Sequence, residues 1–219
     1  MNHLPWMRRM PANLLLPSKQ PLRNSVNPDT LWLYDAIGAD MWGGVSAEDF
    51  ARTLQAMSAP KLHLRINSPG GDITDARAMV TALREHPSHI TAHIDGLAAS
   101  AASYVALACD EVVISEGAFV MVHNAWTLAA GNRFDMQASS EMLAKIDHSI
   151  AADYQRKTGK DEAQVRAWMD AETWFSAQEA LEVGLVDRIA CAAFKPQERP
   201  CYDRLQDRLR TLSAIERIA

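Results

Sequence analysis

Cysteine is scarce in this chain, with only Cys109, Cys191 and Cys201 among 219 residues. An odd number without paired spacing argues against a disulfide framework and against a zinc site. Free thiols in a reducing compartment are expected, and Cys109, in an Ala-rich run, should be a small buried residue. Long apolar runs are missing as well. No stretch approaches the roughly 18 residues of a membrane helix, and Leu14-Leu15-Leu16 is interrupted by Pro17, so no signal-peptide core is expected. Charge of one sign is in only slight excess: the formal net charge is −5 and the pI is near 5.8. Arg8-Arg9 is too short for a polybasic arm, so neither nucleic acid nor an anionic membrane is an expected partner. There is no HExxH or paired Cys/His spacing for a metal, and no Gly-Lys-Ser/Thr ending of a phosphate-binding loop. The expectation is a soluble, cytoplasmic protein that needs no cofactor.

With 48% hydrophobic and 22% charged residues, the chain has the balance of an ordinary globular domain. Its first 28 residues carry Pro5, Pro11, Pro17, Pro21 and Pro28 without periodicity, which predicts a loosely ordered arm. Residues 29–190 then alternate strand and helix patterns, the signature of parallel β-structure in an α/β layered fold. Strands are predicted at 31–34, 62–66, 90–94, 112–115 and 119–123. Between them, Phe50, Leu54 and Met57 mark one helix face, and Ile73, Ala76, Val80 and Leu83 another. The small-residue segment 98–108 also reads as a helix. A long helix over 136–156 carries Leu143, Ile146, Ile150 and Tyr154 on one stripe. Asp161 opens a shorter helix, and Ser176 to Glu179 is a capping box before a last helix closed by Gly184. Residues 191–219 form a tail, in which Leu205, Leu209, Leu212 and Ile215 predict an amphipathic helix.

Three places carry chemistry. Ser68-Pro69-Gly70-Gly71 links a strand to a helix, and paired glycines can expose backbone N–H groups to a developing negative charge. Ser100 follows a strand among residues too small to shield it, in Gly96-Leu97-Ala98-Ala99-Ser100-Ala101-Ala102-Ser103. That placement suits a nucleophile turn although the Gly-x-Ser-x-Gly pattern is absent. His123 ends an apolar strand and titrates in the range a serine's base requires. A carboxylate must then orient the imidazole, and Asp170, Glu172 and Asp187 are the candidates.

These stretches, in this order, resemble the ClpP family of serine peptidases. The matching segments are Ile66-Asn67-Ser68-Pro69-Gly70-Gly71, Gly96 to Ser100, Met121-Val122-His123-Asn124, and Ser176 to Ala180 through Gly184-Leu185-Val186-Asp187. The resemblance covers roughly residues 30 to 190. It implies a ClpP/crotonase-like spiral of βαβ units with a protruding handle helix. It also implies an ATP-dependent Clp-type serine endopeptidase whose own chain binds no ATP. Ser100 would be the nucleophile and His123 the base, with the Gly71 and Ala101 N–H groups as the oxyanion hole. Alignment from both flanking motifs puts Glu172 where housekeeping members carry an aspartate. If the segment were extended, Asp170 and Glu172 would face the same side, so spacing alone leaves both open.

The segment 169–174, with Trp42-Gly43-Gly44-Val45-Ser46 and Gly96 to Ser103, is similar to phage and prophage relatives that act in head maturation on capsid or scaffold protein. The alternatives are a housekeeping-type proteolytic subunit working with an AAA+ unfolding ATPase, and an inactive assembly protein. The proline-rich arm differs from the short axial loops that contact such an ATPase. Ala171 stands where family members often hold the arginine that pairs stacked rings. A homo-oligomeric ring acting on polypeptides is still the expectation. Acyl-CoA chemistry of the crotonase type would not need Ser100 with His123, and a Ser-Lys pair would have to use Lys145.

Overall fold

The computed structural model describes residues 28–38 and 44–190. The arm up to residue 27, Trp42, Gly43, and the tail with its amphipathic helix, Cys191 and Cys201 lie outside the described residues. Within them the chain alternates β1 (Thr30–Leu33), α1 (Ala47–Gln55), β2 (Lys61–Ser68), α2 (Ile73–Glu85), β3 (His89–Ala99), α3 (Ala101–Ala106), β4 (Glu111–Ser115) and β5 (Phe119–Val122). Then follow α4 (Arg133–Thr158), α5 (Glu162–Asp170), β6 (Thr173–Ser176), α6 (Ala177–Val183) and β7 (Arg188–Ala190). This is the α/β architecture that strand–helix alternation predicts.

The sheet runs β1-β2-β3-β4-β7, all parallel, and branches at β3. The first half of β3 pairs with β4 through Thr91 to Ile94, and its second half pairs with β5 through Leu97 to Ala99. The division falls at Asp95-Gly96, where the pairing of β2 with β3 also shifts register past Ile66. A Cβ at Gly96 would come within 2.8 Å of Asn67 Oδ1, so Asn67 lies close over the bend. Strand residues such as Leu64, Ile66, Ile94 and Ile114 pack against Phe50 of α1, Met79 of α2 and Val105 of α3 in one core.

The helices begin where the sequence supplies caps. Asp72 accepts from the Thr74 and Asp75 amides at the start of α2, which fixes the exit from the Pro-Gly-Gly turn. Asn132 with Asp135 and Ser176 with Glu179 form capping boxes on α4 and α6, and Gly184 closes α6. Only the second half of α4 joins the core, through Ile150, Ala151 and Tyr154, while Phe134 and Met142 in its first half are exposed.

Two expectations change. The segment 98–108 is not one helix: β3 continues through Ala99, because pairing with β5 outweighs the helical propensity of alanine, and α3 starts only at Ala101. The chain at Asp170 to Glu172 is not extended either. Asp170 ends α5, and Glu172 turns the chain with φ 50° before β6. Strands β6 and β7, of 4 and 3 residues, are too short to show alternation in the sequence.

Candidate active site

Residues at the ends of β3 and β5 meet because those strands are parallel neighbours, with Ala99 opposite Met121. The Ser100 N–H donates to the Met121 carbonyl at 2.9 Å, which extends the ladder one residue beyond β3. Ser100 then takes φ 53° and ψ −127°, a conformation that L-residues rarely adopt. This strained turn ends the strand and opens α3. It brings Ser100 Oγ to 2.7 Å from His123 Nε2. With its proton on Nδ1, the ring accepts the serine hydroxyl.

The turn after β2 lies directly against this elbow. A Cβ at Gly70, where φ is +88°, would come within 2.6 Å of the Ala99 carbonyl oxygen and 2.8 Å of both Ala101 N and Ser100 Cβ. At Gly71 a Cβ would lie 2.1 Å from the Ile37 carbonyl oxygen. The bridge between Ile37 and this turn uses the Gly70 carbonyl and the Asp72 amide, and so leaves the Gly71 N–H out of the pairing. Gly71, Ala101, Ser100 and His123 all line one cleft of about 760 Å³. Its opposite wall comes from α4, with Met142, Ile146 and Ile150.

Burial lowers the pKa of His123 below the ordinary 6.5, against the opposing pull of the Glu172 and Asp147 carboxylates. The imidazole is therefore neutral, and able to accept a proton, over a wider pH range than a solvated histidine. Glu172 Oε2 stands 4.0 Å from Nδ1, on the side of the ring away from Ser100. That is ion-pair range, about 1 Å beyond a hydrogen bond. Its side chain is 40% exposed against 17% for His123, so the acid stands at the rim.

Of the other acids weighed from sequence, Asp170 accepts from Asn124 Nδ2 at 2.8 Å, and Asp187 binds Lys157 and the Val112 amide. Neither pairs with His123. Lys145 is exposed on α4 and is not among the cleft-lining residues. Two contributions were missed from sequence. Asp147, on α4, accepts from the Ala125 amide at 2.7 Å and adds negative charge near His123. Asn124 ties the strand end to α5. Asn124 lies inside a motif quoted above, whereas nothing local marks Asp147.

The geometry places a serine hydroxyl in hydrogen-bond contact with an imidazole, with backbone amides and a carboxylate nearby. A family model described as Clp protease matches residues 44–192, more than half of the chain. The chain is similar to an "ATP-dependent Clp protease proteolytic subunit" of Chlorella vulgaris, 31% identical over 131 residues covering 59% of this chain and 65% of that protein. It is also similar to "ATP-dependent Clp protease proteolytic subunit 1" of Leifsonia xyli, 32% identical over 130 residues covering 58% and 66%. A "proteolytic subunit 2" of Corynebacterium diphtheriae is 29% identical over 162 residues, covering 69% and 73%. The match thus spans just under two thirds of the first two relatives' length. Taken with the parallel sheet and the strand-end pairing of serine and histidine, the family match gives one conclusion: this chain belongs to the Clp protease family.

Proposed function

We propose that the protein is a serine endopeptidase, with Ser100 as nucleophile, His123 as general base and Glu172 as the acid that orients the imidazole. The observation that carries this reading is the 2.7 Å contact between Ser100 Oγ and His123 Nε2, inside a cleft that also holds Gly71 and Ala101. Ser100 Oγ bonds to the substrate's carbonyl carbon while its proton passes to Nε2. The oxyanion is held by the Gly71 and Ala101 N–H groups. The tetrahedral intermediate collapses, the C–N bond breaks, and the departing amine takes the proton from Nε2. Water then attacks the acyl-enzyme, giving its proton to the same nitrogen, and Ser100 leaves reprotonated. Glu172 closes its 4.0 Å gap as substrate fills the cleft, since catalytic hydrogen bonds often tighten only in the bound state.

The subunits form a homo-oligomeric ring enclosing these sites, so that short peptides are cut more readily than folded proteins. The segment at Met169 to Trp174 supports capsid or scaffold protein as the natural substrate, in the manner of phage-type relatives. A second reading rests on the names of the relatives, ATP-dependent Clp protease proteolytic subunits: a subunit fed by a Clp ATPase. Adding an unfoldase separates them, because only the second predicts faster degradation of folded substrate with ATP.

The chemistry is tested by a fluorophosphonate probe, which reacts with an activated serine. Labelling of the full-length protein at Ser100, lost in Ser100→Ala together with peptide hydrolysis, is the expected result. Retained turnover in that variant, or labelling at Ser103, overturns the assignment. An unlabelled wild-type protein points instead to an inactive assembly role. Light scattering that finds a fully active monomer contradicts the ring.

A further inference from the structure

The strained turn at Ser100 is tied to α4 by a second set of hydrogen bonds that the peptidase steps do not use. Ser103 Oγ donates to the Ser100 carbonyl at 2.7 Å, and the Ser103 N–H donates to the same oxygen at 3.0 Å. Because the Ser103 hydroxyl proton is committed there, its 2.6 Å contact with Tyr154 has the phenol as donor. The chain therefore runs from Tyr154 on α4, through Ser103 on α3, to the Ser100 carbonyl. Both intervening residues are buried, Ser103 at 1% and Tyr154 at 2% exposure. Burial also pushes the Tyr154 phenol upward, so it stays protonated and remains a donor.

The carbonyl so held belongs to the same peptide unit as the Ala101 N–H. A trans peptide is planar, and its C=O and N–H point in opposite directions. Holding the Ser100 oxygen toward Ser103 thus aims the Ala101 N–H away from α3, to the side where Gly70 and Ser100 Cβ lie. The backbone has a competing alternative. Turning this one peptide over changes ψ of Ser100 by about 180°, from −127° to near +53°, and changes φ of Ala101 by as much, taking Ala101 out of its helical conformation at the first position of α3. Ser100 would then enter the left-handed helical well, which an L-residue occupies more readily than the observed conformation, while Ala101 would take on a strained positive φ. The flipped peptide would point a carbonyl oxygen, rather than an N–H, at the oxyanion. The flip thus exchanges strain at Ser100 for strain at Ala101, terms of the same order as one or two hydrogen bonds, so the bonds to the Ser100 carbonyl tip the balance between the two orientations.

We propose that Tyr154 and Ser103 are positioning residues: a two-hydroxyl clasp that keeps the Ser100–Ala101 peptide turned so that the Ala101 N–H serves the reaction. The clasp rests on the serine-peptidase reading for its purpose, but its geometry is independent of that reading. It also makes the elbow sensitive to the placement of α4. A shift of α4 that withdraws Tyr154 weakens the clasp without touching Ser100, His123 or Glu172.

The test uses the full-length protein with Ser103→Ala, Tyr154→Phe and Ser103→Thr. Losing one oxyanion donor typically costs about 10²–10³-fold in kcat, so Ser103→Ala should lose about 100-fold in kcat with KM unchanged. Tyr154→Phe acts through Ser103 and should lose less, roughly 10-fold on the same principle. The double variant should be no worse than Ser103→Ala, and Ser103→Thr, which keeps the hydroxyl, should restore turnover. Crystal structures of wild type and Ser103→Ala supply the readout independent of activity: the variant should show the Ser100–Ala101 peptide turned over. If Ser103→Ala keeps ψ near −127°, or loses activity only through KM, the clasp is wrong. If wild type hydrolyses nothing while the variant's peptide still turns over, the peptidase reading fails and the clasp stands.

Discussion

The two flanks of His123 are built by different means. On the Ser100 side, Ser100 and His123 lie at the ends of paired parallel strands, and the chain on which they sit is backed by buried residues. Position there follows from the sheet register, and 2.7 Å is the result. On the acid side, Glu172 sits in the turn after α5, 40% exposed and 4.0 Å away. Its placement depends on how α5 docks, through Val165 and Met169 in the core and the Asp170–Asn124 bond at the rim. The nucleophile side is thus held by many backbone contacts at once, while the acid side has a longer side chain on a single turn. Substitutions should be costly on the first side in proportion to backbone displacement, and on the second in proportion to lost charge.

The largest effect is expected at Gly70. A methyl there collides with Ala99, Ser100 and Ala101 together, and none of these can yield without moving the elbow. A displacement of about 1 Å costs about 100-fold, and loss of an oxyanion donor adds to it, so Gly70→Ala should lose at least 10³-fold, roughly, in kcat/KM. Peptide hydrolysis and probe labelling measure this. Near-normal labelling would mean that the sheet does not hold the elbow rigidly. On the acid side, Glu172→Gln should lose at least about 100-fold, below the ~10⁴ of well-oriented triads because the starting contact is longer. Asp170→Asn should change turnover little, since an amide oxygen can still accept from Asn124. The reverse pattern would make Asp170 the orienting acid.

This asymmetry also separates what was legible in the sequence from what was not. Ser100, His123 and the Pro-Gly-Gly turn were legible because each sits at a strand end, where a hydrophobic run stops at a small or polar residue. The mistaken helix at 98–108 arose at the same spot: Ala98 and Ala99 are good helix formers, and only the non-local pairing with Phe119 to Met121 makes them strand. The contacts of Asp147 and Tyr154 were illegible for a related reason. Both lie on a correctly foreseen helix, but which residues its face meets depends on how α4 crosses α3, and periodicity carries no such information. Tyr154 was read as one more residue of an apolar stripe, and its hydroxyl contact with Ser103, 51 positions away, has no local trace.

The join between α4 and the rest gives a smaller effect. Asp153, with its side chain 8% exposed, binds Arg84 of α2 at 3.2 Å and also Arg156. Asp153→Ala leaves both guanidiniums without that carboxylate and should cost about 2 kcal/mol, lowering Tm by roughly 4–8 °C. A melting point unchanged within error would mean that the second half of α4 is held by its apolar contacts alone.

The smallest effect compares the two carboxylates that oppose burial at His123. In the proposed mechanism His123 works as base only when neutral, so activity should be present above its pKa and lost as pH falls through it. Burial has lowered that pKa, so the acidic limb of kcat/KM should lie below about 6.5. Glu172 and Asp147 both favour the protonated ring and keep the limb from falling further. Glu172→Gln and Asp147→Asn should therefore each move the limb to still lower pH, because each removes negative charge near the imidazolium. They differ in what happens above the limb. Glu172→Gln should lower the plateau as well, since the carboxylate proposed to orient the ring is gone. Asp147→Asn keeps an oxygen for the Ala125 amide and should leave the plateau within a few-fold of wild type, an order-of-magnitude allowance for a change in charge alone. A limb that moves upward in either variant would mean that the carboxylates do not act on His123 through their charge. A plateau lowered equally in both would place Asp147 beside Glu172 in orienting the ring.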